Sequence, residues 1–325
     1  MTPEILAEIA AEANLAPSAH NTQPVLWHRD GADGIILSLD PARLLHIGDP
    51  DSKDARLSGG AALLGTQYAL WRRGLGVRGV EPDTDTLRLA IGGEPAAPAP
   101  ELDLLRRRTC YRAGFAPATG AQIRALTEAL QNRDDAYAFT DPSQIAAIAE
   151  LNDAASLGFM AKRPFREELL SWMRLSRNDP NWNRDGLSAE ALALSGIEAF
   201  GARIALRAPI FEGLNALGLA RGLTAEAAKT NSATALIVVH RGIEEDRWTS
   251  GNAFYDLWLA LTGAGFAAWP MAVLADNPET CAEVKHMAKL GDDRTLITVL
   301  RVGPHPGANQ APKARLPGLE LIRAA

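Results

Sequence analysis

Apolar residues recur at helical spacing across residues 3–16. Ile5, Leu6, Ile9, Ala10 and Ala13 form one stripe, and Pro3 suits a first turn. A polar stretch follows, Leu15–Ala16–Pro17–Ser18–Ala19–His20–Asn21–Thr22–Gln23–Pro24, and then two strand-type runs, Val25–Arg29 and Ile35–Leu39, around the turn residues Asp30–Gly34. An irregular segment leads from Asp40 to Asp54, where Arg43 and His46 either touch a ligand or, the favoured reading, are solvated loop residues. A second helix opens on Ser58–Gly59–Gly60–Ala61–Ala62, reaches about Arg73 and stops at Gly74–Leu75–Gly76. Its small first residues leave room for a backbone or a flat ligand. Strands at Val77–Val80 and Leu87–Ile91 precede the Gly/Pro/Ala-rich Gly92–Pro100, the best internal boundary in the chain.

Beyond that linker the pattern gives a short helix over 101–108, helices near 119–132 and 142–157 around a strand Ala136–Thr140, and helical Phe165–Arg174. Residues 178–229 are Gly-interrupted and semi-apolar, with Trp182 and Phe211 placed as if exposed; this suits a helical flap or a plain helical insertion. Thr234–His240 reads as a buried strand, and Ser250–Gly251–Asn252–Ala253 opens a helix ending at Gly263–Ala264–Gly265. That helix echoes the one begun at Ser58, either by weak internal duplication or by chance likeness of two Ala/Leu-rich helices. Ala268–Leu274 and Thr295–Val302 complete the strands.

The chain has 325 residues, enough for two domains or one extended one. Its formal net charge is −6, which argues against a nucleic-acid surface and confines any anion site to a local basic pocket. Cys110 and Cys281 stand far apart and form neither a disulfide framework nor, with the six histidines, a zinc spacing; no metal site is expected. No run approaches membrane-spanning length and residues 1–20 lack a signal-peptide pattern, so the expectation is a cytoplasmic protein without membrane or nucleic-acid partners.

Two further segments carry chemistry. Arg107, Arg108 and Arg112 flank the hydroxyl of Thr109, and Lys313 and Arg315 alternate on an extended run where both side chains can point one way. Each set alone suits a solvated face. Together they suit a phosphate, which guanidinium forks and an ammonium neutralise while a hydroxyl fills a remaining lone pair. Dinucleotide-fold, P-loop, nucleophile-elbow and metal-spaced patterns are all absent from the sequence.

The stretch Ala-Pro-Ser-Ala-His-Asn-Thr-Gln-Pro (16–24) closely resembles the Ala-Pro-Ser-x-x-Asn-x-Gln-Pro-Trp signature of the FMN-dependent nitroreductase family. Val25 stands where that signature has Trp, with Trp27 two places on. Arg107–Arg112 resembles the family's Arg-x-Ser/Thr-x-Lys/Arg phosphate segment, with Tyr111 at the second basic position and Arg112 one place on. Pro312-Lys313-Ala314-Arg315-Leu316 resembles its terminal phosphate and ribityl contact. In the family the first motif reaches the flavin from the partner subunit. Here it lies in the N-terminal part and the phosphate motifs in the C-terminal part, which is similar to the fused, Acg-like branch, as is Glu168-Leu169-x-x-Trp172.

The resemblance implies an α+β, nitroreductase-like fold of two homologous halves, 1–98 and 99–325, forming an intrachain pseudo-dimer with a helical lid over about 178–229. It implies FMN held by Pro17, Ser18, Ala19, Asn21, Gln23, Arg107, Arg108, Thr109, Arg112, Lys313 and Arg315, with Pro270, Met271, Ala272 and Val273 at flavin N5. His20 either lines the flavin edge or is a hydrogen-bonded loop histidine. The expected activity is electron transfer from NAD(P)H through FMN to an electron-poor small organic acceptor, with no assigned catalytic side chain; the cofactor supplies hydride chemistry and the protein orientation and polarisation. Two other readings stand beside it: a flavin-sequestering protein whose closed lid excludes nicotinamide, and a flavin-dependent enzyme of natural-product metabolism. The chain is expected to act as a monomer or a homodimer.

Overall fold

The computed structural model describes residues 1–307 and 313–323 and is a mixed α+β structure. Strands Val25–Asp30, Gly34–Leu39, Thr86–Ile91 and Val77–Pro82 form an antiparallel N-terminal sheet in that spatial order. Its outer edge is completed by Ile322–Arg323, which runs parallel to the first strand and pairs Ile322 with Trp27. A second sheet has the order Ala136–Phe139, Ala235–Gly242, Arg294–Pro304, Phe266–Pro270, all antiparallel. Its middle strands are buried on both sides because helices cover both faces, so they are apolar runs rather than alternations.

The sheets are joined through two long helices, Lys53–Trp71 and Arg247–Gly263, which cross at backbone contact. A Cβ on Gly60 would fall 1.9 Å from the Trp248 carbonyl oxygen, and one on Gly251 would fall 2.0 Å from that of Leu57. The contacts are reciprocal: Leu57 and Gly60 of one helix face Gly251 and Trp248 of the other. Gly59 lies against the Trp248 ring. The small residues that open each helix therefore admit the other helix, not a flat ligand.

Most elements lie where the pattern predicts, with informative differences. The first long helix begins at Lys53 rather than Ser58, because the Asp49 carboxylate accepts from the N–H groups of Asp54 and Ala55 at its start. Strand Phe266–Pro270 ends early, and Val273–Asp276 turns helical. Ile322–Arg323 is too short to leave a periodic signal and was not expected as a strand. Residues 178–229 contain short helices at Gly196–Ala205, Ile210–Ala216, Arg221–Thr224 and Ala227–Thr230. Phe211 is buried there with Met160, Leu206 and Ala220 rather than exposed, under the Arg166 guanidinium, 4.2 Å from its ring centre. Trp182 is half-buried.

Gly60→Ala should cost about 3 kcal/mol in chemical denaturation, because backbone cannot yield to the added methyl. Gly213→Ala, whose Cβ meets nothing within 4 Å, serves as the control and should be neutral or stabilising. Equal stability of the two variants would contradict the contact.

Candidate functional site

The polar stretch after the first helix is a tight, strained loop. His20, Asn21 and Gln23 all have positive φ, 46°, 55° and 53°, which costs free energy for residues with a side chain. Local bonds hold the shape: Ser18 Oγ accepts from Gln23 N–H at 3.0 Å, and Ser58 Oγ accepts from Ala19 N–H at 3.3 Å. The side chains of Asn21 and Gln23 are spent on distant backbone. Gln23 Oε1 accepts from Asn14 Nδ2 at 2.7 Å and Leu316 N–H at 2.8 Å, and its Nε2 donates to Arg184 O at 2.8 Å. Asn21 Nδ2 donates to Gly186 O and Ala314 O, while its Oδ1 accepts from Arg315 at 2.6 Å. These two residues pin three chain segments together; Pro17, Ser18 and Ala19 stay half-buried at the loop's face.

Behind this loop Arg108, Lys313 and Arg315 converge. Arg108 is buried, donates to Leu15 O at 2.7 Å and lies 4.8 Å from the Trp258 ring centre. Arg315 donates to Leu15 O and Ala16 O, both at 3.3 Å. Lys313 Nζ donates to the carbonyls of Leu105 and Arg106. Among the described residues no carboxylate lies within ion-pair distance of any of the three. Burial and then the neighbouring guanidiniums of Arg108 and Arg315 push the Lys313 ammonium down to about 6, and burial with Arg108 pushes Arg315 down to about 9. Arg108 Nε and Arg315 Nε are buried with no acceptor. Two guanidiniums and an amine that burial holds near neutrality, with no counter-ion among the described residues and with orphaned donors, suit an anion.

The other expected phosphate residues divide. Arg107 is exposed and pairs with Asp103 at 3.0 Å, so Arg108 is the inward member of that pair. Thr109 is buried beside it. Past Thr109 the chain runs parallel to Phe266–Pro270, with Cys110 bridged to Ala268 and Tyr111 N–H donating to Ala268 O at 3.0 Å. This carries Arg112 away from the cation cluster to lie 5.6 Å from the Trp269 ring centre. Burial, and then Arg112, lowers His20 to about 4, so its imidazole is neutral at pH 7. The parallel run ends at Pro270 and Met271. Met271 N–H donates to Val299 O, while the N–H groups of Ala272 and Val273 find no acceptor among the described residues. A cationic pocket at one end of an extended run and two free N–H groups at the other form one elongated polar rail.

Sequence reasoning missed three contributions. Tyr255, from the second long helix, has a buried hydroxyl beside Arg108 and Arg315 whose proton finds no acceptor among the described residues. Asp54 and Asp276 flank Lys53, which pairs with Asp276 at 3.2 Å; burial and then carboxylate repulsion from Asp276 and Asp49 raise Asp54, and burial first raises Asp276 too. Arg43, expected to be solvated, donates to Thr22 O at 2.6 Å and joins Arg174 in bracketing the buried Asp185. Both guanidiniums lie within 6 Å of the Trp172 ring centre, which clasps the start of the insertion onto the opening loop. A cavity of about 460 Å³ beside this clasp is lined by Arg43, His46, Glu168 and Trp172, but the Glu168 carboxylate is already used by the Ile47 and Gly48 N–H groups.

No family model matches the sequence, and no curated protein matches it. Solved structures do. Several of them are FMN proteins. The FMN and NADPH-dependent nitroreductase NfnB of Sphigopyxis sp. strain HMH shares 19% identity over 68% of this chain and 96% of its own, with a TM-score of 0.39. The FMN-dependent nitroreductase NfnB of Mycobacterium smegmatis, solved with NADPH, shares 18% over 68% and 90%, TM-score 0.33. Iodotyrosine deiodinase bound to FMN and 3-iodo-L-tyrosine shares 16% over 65% and 91%, TM-score 0.37. Among the described residues no helix is long and apolar enough to cross a membrane, and no group of His, Cys, Asp and Glu is placed to hold a metal ion.

Lys313 gives a pH signature. Without an anion the folded chain releases its proton near pH 6, while the unfolded chain keeps it to about 10.5. Between these values the unfolded state binds more protons, so this group's contribution to stability rises with pH; below about 6 the full penalty stands. The stability of the anion-free protein minus that of Lys313→Met should rise from pH 7 to pH 9 in chemical denaturation. A flat difference would contradict the buried ammonium.

Proposed function

We propose that this chain is an FMN-binding oxidoreductase of the nitroreductase type, taking electrons from NAD(P)H and passing them to an electron-poor small organic molecule. The observation that carries the reading is the cluster of Arg108, Lys313 and Arg315 behind the Pro17–Gln23 loop, which has no counter-ion among the described residues. A phosphate monoester supplies the missing charge, and the orphaned Nε groups of Arg108 and Arg315 supply donors for it. From there the rail formed by Thr109–Arg112 beside Phe266–Pro270 leads to Ala272 and Val273, whose free N–H groups suit the polar edge of an isoalloxazine. Ser18, Ala19 and the neutral His20 form the facing wall, while Asn21 and Gln23 fix that wall instead of touching the ring. Bound FMN supplies two-electron chemistry; the protein binds its phosphate, orients the ring and limits water. Arg107 is a weaker phosphate ligand than Arg108, since it faces Asp103 and solvent.

The same proposal reads 1–98 and 99–325 as two halves of a dimer written into one chain. The reciprocal Leu57/Gly60 and Trp248/Gly251 contacts support it, because a two-fold interface places the same pair of residues opposite itself. Strand Ile322–Arg323 adding to the N-terminal sheet ties the end of the second half into the first. A flavin-sequestering role has its own support in the clasp: Arg43, Asp185 and Arg174, with Asn21–Gly186 and Gln23–Arg184, hold the start of the 178–229 insertion against the loop.

The purified protein should take up FMN, and NADH or NADPH should bleach its absorbance under anaerobic conditions. Reduction by dithionite but by neither nicotinamide favours sequestration, and no FMN uptake ends both readings. Lys313→Ala with Arg315→Ala should weaken FMN at least about hundredfold, since each charge-assisted bond contributes roughly 1.5–3 kcal/mol. Full retention would refute the phosphate site.

A further inference from the structure

We propose that the Tyr255 hydroxyl is a binding residue of the anion pocket, donating its proton to the phosphate held by Arg108, Lys313 and Arg315. Tyr255 belongs to the second long helix, in a part of the chain that no phosphate motif touches. It is fully buried, packed with Ala16, Ala61, Leu64, Leu105 and Leu259. A tyrosine enclosed this way ordinarily spends its O–H on a partner. The hydroxyl of Tyr255 lies beside two cations, the Arg108 guanidinium, 6.0 Å from its ring centre and within donating reach of the phenol oxygen, and Arg315, and its proton finds no acceptor among the described residues. A guanidinium offers no acceptor for the tyrosine proton. The acceptor must therefore come from a ligand, and an oxygen already drawn in by Arg108 and Arg315 is placed to be it.

Buried hydroxyl, buried Arg108 Nε and buried Arg315 Nε thus point to one anion of several acceptor oxygens, which is the chemistry of a phosphate monoester rather than of a single halide. The fixed phenol on a long helix, itself locked by the glycine crossing, also adds what flexible lysine lacks, a donor whose direction is set before binding.

This inference rests on the flavin-phosphate reading of the pocket, and Tyr255→Phe tests it apart from that reading. In the anion-free protein the substitution removes an unsatisfied buried group and should leave the melting temperature unchanged or raised. In titrations followed by flavin fluorescence it should weaken FMN about tenfold or more while leaving riboflavin, which lacks the phosphate, unchanged. Unchanged FMN affinity overturns the proposal. Equal weakening of FMN and riboflavin overturns it too, by assigning Tyr255 a purely structural part. If the wild-type protein binds no flavin, calorimetry with inorganic pyrophosphate decides: weaker binding by Tyr255→Phe upholds Tyr255 as an anion ligand while the flavin reading falls. No pyrophosphate binding by either protein overturns both.

Discussion

Two helices touching backbone to backbone at Gly60 and Gly251 set everything else in this molecule. Such contact is possible only where neither helix carries a Cβ at the crossing, and it brings the two sheets to a fixed separation. It also aims side chains. Ser58, on one helix, receives the Ala19 N–H and anchors the opening loop; Tyr255, on the other, delivers a hydroxyl to the cation cluster. Loop and pocket come from opposite ends of the chain, so their relative position depends on a crossing that neither contains.

The pocket is built at a cost. Bringing Arg108, Lys313 and Arg315 together with no carboxylate beside them among the described residues opposes folding, and the loop above them keeps three non-glycine residues at positive φ. Carbonyls of Leu15, Ala16, Leu105 and Arg106 offset part of the charge, and Asn21 and Gln23 tie loop, insertion and C-terminal segment into one frame. On the reading proposed above, an anion arriving there finds its donors in place, and its binding free energy stabilises the folded chain by mass action.

Much of this is legible in the sequence, and the rest is hidden for definite reasons. The strand runs, the helix stripe before Ala13 and the loop that ends at Pro24 follow from periodicity and from the φ preferences of proline. Basic side chains at 107–112 and 313–315 suit an anion, but which arginine turns inward depends on where the 102–107 helix ends, and a shift of one residue moves the side chain by about 100°. The Ser-Gly-Gly-Ala opening signals close approach without saying of what; only the fold identifies the visitor as the other helix. Asn21 and Gln23 look like ligand donors because amides serve either purpose, and their partners at 184–186 and 314–316 are distant in sequence. Pro312, part of the motif around Lys313, lies outside the described residues. Tyr255 and the Asp54–Lys53–Asp276 group are invisible to motif reading, since helical periodicity records burial and not an unmet hydrogen bond.

Phosphorus-31 resonance of the protein–FMN complex tests the cation pocket most directly. A free phosphate monoester takes up its second proton near pH 6. Held by Arg108, Lys313 and Arg315, it should stay a dianion, with a single bound resonance whose shift is constant from pH 5 to pH 8. A resonance that titrates through pH 6 as free FMN does would place the phosphate in solvent and contradict the site.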